Sequence, residues 1–156
     1  MPRRKVLSAA QRTSFEQIAT EPAELVKYYT LSQDDLALIS KRRKAGNRLG
    51  FALQLCLTRY PGRVLRAGEE LPASLIAFVA EQTQTAASDL ADYAQRDQTR
   101  REHIALLVNK FGLSVFTETH FQKMVHWLVP IAVGNPRNTF LVGAVLNQLR
   151  HQGILL

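Results

Sequence analysis

A single cysteine, Cys56, stands in the 156 residues, so no internal disulfide can form and a reducing compartment suits the chain. No apolar run approaches the ~18–20 residues that a membrane span requires, and no transmembrane helix is expected. The opening Met1-Pro2-Arg3-Arg4-Lys5 has the charge of a signal-peptide front but no apolar middle behind it. Polar Ser8, Gln11 and Arg12 interrupt at once, so a cytoplasmic location is expected rather than secretion. Alternating strands of useful length, internal repeats and low-complexity segments are all missing. Patterns that carry catalysis are missing too. No glycine-rich phosphate loop occurs, His103, His120, His126 and His151 lack metal-ligand spacing, and Cys56 has no evident base. The acid pairs Asp34-Asp35 and Glu69-Glu70 are adjacent, so on a helix they point apart. No catalytic residue, metal site or cofactor is expected in this chain.

What is present is a core and a charge. Hydrophobic residues make up 46% of the chain, enough for a packed interior, and the length fits one domain. The net charge of +7 is unevenly spread. Residues 36–68 hold Lys41, Arg42, Arg43, Lys44, Arg48, Arg59, Arg63 and Arg66 and no acid, whereas residues 69–102 hold seven acids against three arginines. A concentrated basic block repels itself and fits a polyanionic partner; the plainer alternative is a solvated helix face.

Helical punctuation recurs along the chain. Ser8 is placed to cap a helix running through Phe15 and Ile18, and Pro22 sits where a first turn tolerates it. Ser32, followed by Asp34 and Asp35, opens a third helix that should end in the Lys41–Lys44 run, with Gly46 as its stop. Asn47 then caps a helix carrying Leu49, Ala52, Leu53, Cys56 and Tyr60 on one stripe, with Cys56 as a small core residue. Pro61-Gly62 ends it, and the loop over 61–72 is where the chain could divide. Further helices are expected over 73–82, 88–94, 99–111, 117–133 and 136–152, with Pro130 kinking or ending the penultimate one. The fold class is all-α, a compact multi-helix bundle of roughly eight short helices with helix-turn-helix-like units.

Several constellations could meet an anion. Thr99 and Glu102 have capping-box spacing, which puts Arg100 and Arg101 in a first turn where the helix dipole disfavours cations. Something anionic opposite them would explain the placement; pairing with Asp97, Glu102 or Asp92 is the plainer account. Arg48 and Arg59 lie eleven residues apart, near three full turns, on one helix face ~16 Å apart. Thr119, Gln122, Lys123 and His126 could read base edges or touch phosphates, or form the wet face of a helix whose Phe121, Met124, Val125 and Leu128 pack inward.

Strings running through these places resemble a known family. They are Tyr28-Tyr29-Thr30-Leu31-Ser32-Gln33-Asp34-Asp35-Leu36, Asn47-Arg48-Leu49-Gly50-Phe51-Ala52-Leu53-Gln54-Leu55 and Arg59-Tyr60-Pro61-Gly62. Tyr93-Ala94-Gln95-Arg96-Asp97-Gln98-Thr99-Arg100-Arg101-Glu102-His103 and the closing Arg150-His151-Gln152-Gly153-Ile154-Leu155-Leu156 complete the set. In this order they resemble the amino-terminal region of transposases from class II (Tn-three-type) replicative transposons, over nearly the whole chain. The resemblance implies a domain that binds double-stranded DNA at the terminal inverted repeats of the element. It also implies a separate carboxy-terminal domain, with an Asp-Asp-Glu metal site, that cuts and joins; that domain is expected to lie outside residues 1–156, and no catalytic residue is carried over.

The expectation is a helical DNA-binding domain, nucleoid-associated in a bacterium. Lys41, Arg42, Arg43, Lys44, Arg48, Arg59, Arg96, Arg100 and Arg101 would bind mainly phosphates, and Asn47 or the helix with Thr119, Gln122, Lys123 and His126 would read bases. A homodimer would form through the full-length protein. The rival expectations are a protein-interaction module meeting an acidic partner or a second protomer, and an RNA-binding helical domain. Phe51 and Tyr60 look like core residues, which argues against a single-strand stacking platform.

Overall fold

The computed structural model describes residues 6–93 and 97–156. Local capping rules account for the first three helices. In α1 (Ala9–Glu16) the Ser8 hydroxyl accepts from the Gln11 amide at 3.2 Å, and the Ser8 amide donates to Gln11 Oε1 at 2.8 Å. Ile18 lies just beyond this helix and is buried. α2 (Pro22–Tyr29) begins on Pro22. α3 (Gln33–Ser40) repeats the reciprocal cap, Ser32 with Asp35, at 3.1 and 2.9 Å.

α4 (Ala45–Arg59) is the axle of the fold. Eleven of its fifteen residues are buried, from Gly46 to Thr58, so it has no free side. Around it pack α2, α3, α5 (Ala73–Thr83), a 3-10 segment (Ala87–Asp92) and α6 (Asp97–Phe111). Two glycines make the closest of these contacts possible. A Cβ on Gly50 would lie 2.1 Å from the Tyr93 ring, and one on Gly46 would lie 2.5 Å from the Asp89 carbonyl oxygen. Gly46 is therefore not a helix stop but the first-turn seat of the 3-10 segment, and Lys44, not Asn47, is the N-cap of α4. The loop over 61–72 folds back on the same core: Leu65 is buried and its amide donates to Gln54 Oε1 at 2.9 Å. Residues on both sides of that loop share one hydrophobic cluster, from Ile18 to Leu107.

The carboxy-terminal part is thinner. β1 (Ser114–Val115) pairs in parallel with β2 (Ile154–Leu155), and between them run α7 (Glu118–Gly134) and α8 (Asn138–His151). Their core consists of Met124, Leu149 and Ile154, with Phe116, Trp127 and Val145 packed against it. α7 runs through Pro130 to Gly134 rather than ending there. Phe121 and Val125, expected to pack inward, are 51% and 45% exposed, because α8 covers only the Met124 side of the helix.

The hairpin is tied to the far end of α4. The Leu156 amide donates to the Gly62 carbonyl at 3.2 Å. A ladder of rings and cations does the rest: Lys27 lies over Tyr28, Tyr28 stacks on Tyr60 at 3.9 Å, and Arg150 lies over Tyr60 at 5.0 Å. The fold is all-α, as expected. The helix-turn-helix reading of α3 and α4 meets a physical obstacle, since a recognition helix needs a solvent face to enter a groove and α4 is walled in.

Candidate nucleic-acid interface

The basic run forms the turn between α3 and α4. Lys41, Arg43 and Lys44 are exposed and make no ion pair among the described residues. Arg42 turns inward. Its guanidinium lies 5.3 Å from the Phe51 ring, and its Nε is buried without a hydrogen-bond partner. Beneath it His103 packs edge-on to Phe51 and shares a 3.1 Å hydrogen bond with the Tyr93 hydroxyl. Burial, reinforced by the nearby Arg42 charge, pushes the His103 pKa down to about 4. Asn47 is half-buried in the first turn of α4. Arg48 reaches back to the Arg42 and Arg43 carbonyls at 3.4 and 3.3 Å, which holds the turn.

Arg59, Arg100 and Arg101 have partners in the fold. Arg59 forms a two-pronged pair with Asp35, both bonds 2.7 Å, with Asp35 nearly buried. That guanidinium holds the Asp35 carboxyl below the ordinary carboxylate range, and Asp35 in turn raises Arg59. Arg48 and Arg59 thus grip α3 near its two ends, and their three-turn spacing along α4 serves that grip. Arg100 bonds Asp97 at 2.6 Å and the Leu65 carbonyl at 3.4 Å, while Arg101 bonds Asp97 at 2.8 Å. Their side chains differ: Arg100 is 19% exposed and Arg101 77%. α6 starts at Asp97, so Thr99 lies inside the helix and the first-turn acid already offsets both cations. Arg96 falls outside the described residues.

α7 brings Thr119, Gln122, Lys123 and His126 to solvent together. Further along, Val129 and Val133 are 57% and 84% exposed, so most of this helix is uncovered. The α3–α4 turn and the α7–α8 hairpin sit at opposite ends of α4, whose fifteen residues span about 22 Å.

One cluster has no counterpart in the sequence pattern. A cavity of ≈ 220 Å³ between α1, the 61–66 loop and α8 is lined by Arg12, Arg63, Arg66 and Arg150 among apolar side chains. Positions this far apart share no periodicity or motif, so only the folded chain reveals them. Among the described residues no group of His, Cys, Asp and Glu could hold a metal ion, and no helix is long and apolar enough to cross a membrane.

Comparison with known proteins places this geometry. Residues 6–156 match the family described as a domain of unknown function (DUF4158). The transposase for transposon Tn3926 of Escherichia coli is 40% identical over 156 residues, which is 100% of this chain and 16% of that protein. The transposase for transposon Tn501 of Pseudomonas aeruginosa is also 40% identical, again over 100% of this chain and 16% of its own length. The transposase for transposon Tn1546 of Enterococcus faecium is 32% identical over 98% of the chain. The chain thus spans 16% of the length of these relatives.

Proposed function

Since the chain belongs to the DUF4158 family and matches the amino-terminal region of Tn3-family transposases, we propose that it is a transposase's DNA-binding head. It docks on double-stranded DNA at the terminal inverted repeats of the element during replicative transposition. Cutting and joining belong to the remainder of the transposase.

The observation that carries this reading is the division of labour among the cations. Arg48, Arg59 and Arg100 are engaged by the fold, whereas Lys41, Arg43 and Lys44 share one exposed turn and make no ion pair among the described residues. An unanswered basic turn is a natural phosphate anchor. Arg101 is a separate candidate, because its pair with Asp97 is solvent-exposed and readily exchanged for a phosphate. Thr119, Gln122, Lys123 and His126 on the uncovered side of α7 are the base-reading candidates, in preference to half-buried Asn47. The turn and the hairpin's tether at Gly62 lie at the two ends of α4, which is about 22 Å long.

A salt-titrated binding assay with inverted-repeat duplex, scrambled duplex and RNA tests the reading. Inverted repeats should bind most tightly. Replacing Lys41, Arg43 and Lys44 together with Ala should weaken both duplexes alike and flatten the salt slope by roughly two to three counterions. Equal affinity for all three nucleic acids removes end recognition.

A second reading rests on the apolar row Phe121, Val125, Val129 and Val133, which suits a protein surface better than a phosphate backbone. On that reading the distal half of α7 contacts another part of the transposase or a second protomer.

A further inference from the structure

We propose that Arg48 is a positioning residue for DNA binding: through the backbone of the α3–α4 turn it sets Lys41, Arg43 and Lys44 as one phosphate-binding surface, and it does not itself hold a phosphate. The proposal rests on the DNA-binding reading above. The turn lacks the local devices that fix the chain elsewhere. α1 and α3 open on reciprocal serine caps, whereas α4 opens on Lys44, which makes no side-chain cap. Four consecutive cations, Lys41 to Lys44, repel one another, and none has an ion-pair partner among the described residues. Such a turn needs a brace from outside its own four residues.

Arg48 supplies that brace. Its Nη1 donates to the Arg42 carbonyl at 3.4 Å and to the Arg43 carbonyl at 3.3 Å. Its own amide is bonded to the Lys44 carbonyl at 2.9 Å, so the residue is fixed in α4 while its side chain reaches back over the helix start. One guanidinium thus serves two carbonyls that lie outside both helices, where no helical ladder supplies a donor. Arg42 adds a second hold, with its guanidinium over the Phe51 ring at 5.3 Å and its Nε buried. Exposed Lys41 and Arg43 flank it along the chain. The run of four divides into one cation held against the core and three presented to solvent, a division that Lys-Arg-Arg-Lys does not show as a string.

The effect on binding arises from preorganisation. A turn fixed before DNA arrives does not have to be ordered by it, so its three contacts form together. A loosened turn engages fewer phosphates at once. Loss of Arg48 should therefore remove more counterions than one cation carries, which the loss of a single direct phosphate ligand does not do.

The test is a salt-titrated double-mutant cycle on inverted-repeat duplex, combining Arg48→Met with the triple variant Lys41→Ala/Arg43→Ala/Lys44→Ala. Backbone NMR relaxation of the free chain accompanies it. Arg48→Met alone should bind about tenfold more weakly and lose roughly two counterions of salt slope. On the triple variant the same substitution should change affinity by less than about twofold, because nothing remains for Arg48 to position. In the free chain it should lower the order parameters of Arg42, Arg43 and Lys44 from about 0.85 to below about 0.6. If Arg48→Met unfolds the chain, Arg48→Lys, which keeps the charge and a donor on a shorter reach, enters the same cycle. It should bind more weakly than wild type by a factor that vanishes on the triple variant. Equal losses with and without Lys41, Arg43 and Lys44, each of about one counterion, make Arg48 a direct phosphate ligand and overturn the proposal. Order parameters that Arg48→Met leaves unchanged overturn it as well. Failure of the wild-type chain to bind any duplex sinks the DNA reading and any role of Arg48 in it, even where relaxation shows that Arg48 holds the turn.

Discussion

The half of the molecule wound around α4 and the half made by the α7–α8 hairpin solve the burial problem in opposite ways. Around α4 the cluster from Ile18 to Leu107 is large, and even polar Asp35, His103 and the Gln54 side-chain oxygen are enclosed with partners. In the hairpin the packed cluster has three buried residues, while Val133 is 84% exposed and Phe121, Val125, Val129 and Phe140 stand in solvent. The arginines follow the same division. Those along α4 hold the fold, whereas Thr119, Gln122, Lys123 and His126 of α7 make no side-chain ion pair among the described residues. A helix that contributes little to its own domain's core is free to serve as a contact surface, and a walled-in helix is not.

The sharpest way to break this contrast is at Gly50. Replacement with Ala drives a Cβ against the Cγ end of the Tyr93 ring, which is itself fixed by its bond and stacking to His103. Overpacking of this kind costs about 1–3 kcal/mol or more, and with a ring that cannot swing aside the upper end is expected. Denaturant unfolding monitored by far-UV circular dichroism measures it. A loss below ~0.5 kcal/mol would mean that the 3-10 segment is not seated on α4 at all.

How far the sequence alone carries follows from the range of each interaction. Ser8, Pro22 and Ser32 were readable because a cap is decided within three residues. Gly46 was misread as a stop because its real role is set by Asp89, more than forty residues away. The Arg48–Arg59 spacing was seen correctly, but its partner on α3 is a tertiary fact: Asp35 lies 24 positions from Arg59. Phe121 and Val125 obey the helical period that normally marks a core, and only the narrowness of α8's cover leaves them outside. Arg12 and Arg150 line one cavity from nearly opposite ends of the sequence, a separation at which no local pattern exists.

Acid should act on the first half before the second. The unfolded His103 titrates at about 6.5 and the folded one at about 4, so between these values the unfolded chain binds one more proton. Stability therefore falls as pH drops from 6.5 toward 4, by about 1.4 kcal/mol per unit at most. Below that, protonating Asp35, whose carboxyl is held low mainly by its bond to Arg59, removes the clamp on α3. The variant His103→Leu should be less stable near neutrality and lack the first part of this decline. An unchanged slope between pH 6.5 and 4 would show that His103 is hydrated in the folded chain and that the α4 core is looser than its burial implies.

The smallest expected effect tests the other side of the contrast. Val129→Ser and Val133→Ser remove methyl groups that already face water, so each should change stability by less than about 0.5 kcal/mol. Met124→Ala, on the same helix but facing α8, should cost about 2 kcal/mol or more. Three points along one helix then map its inner and outer sides by energy. If the serine variants cost as much as Met124→Ala, the exposed valines are part of a core after all, closed in solution by a second copy. Dependence of the melting temperature on protein concentration would identify that partner, because self-association stabilises by mass action and a lone hairpin does not.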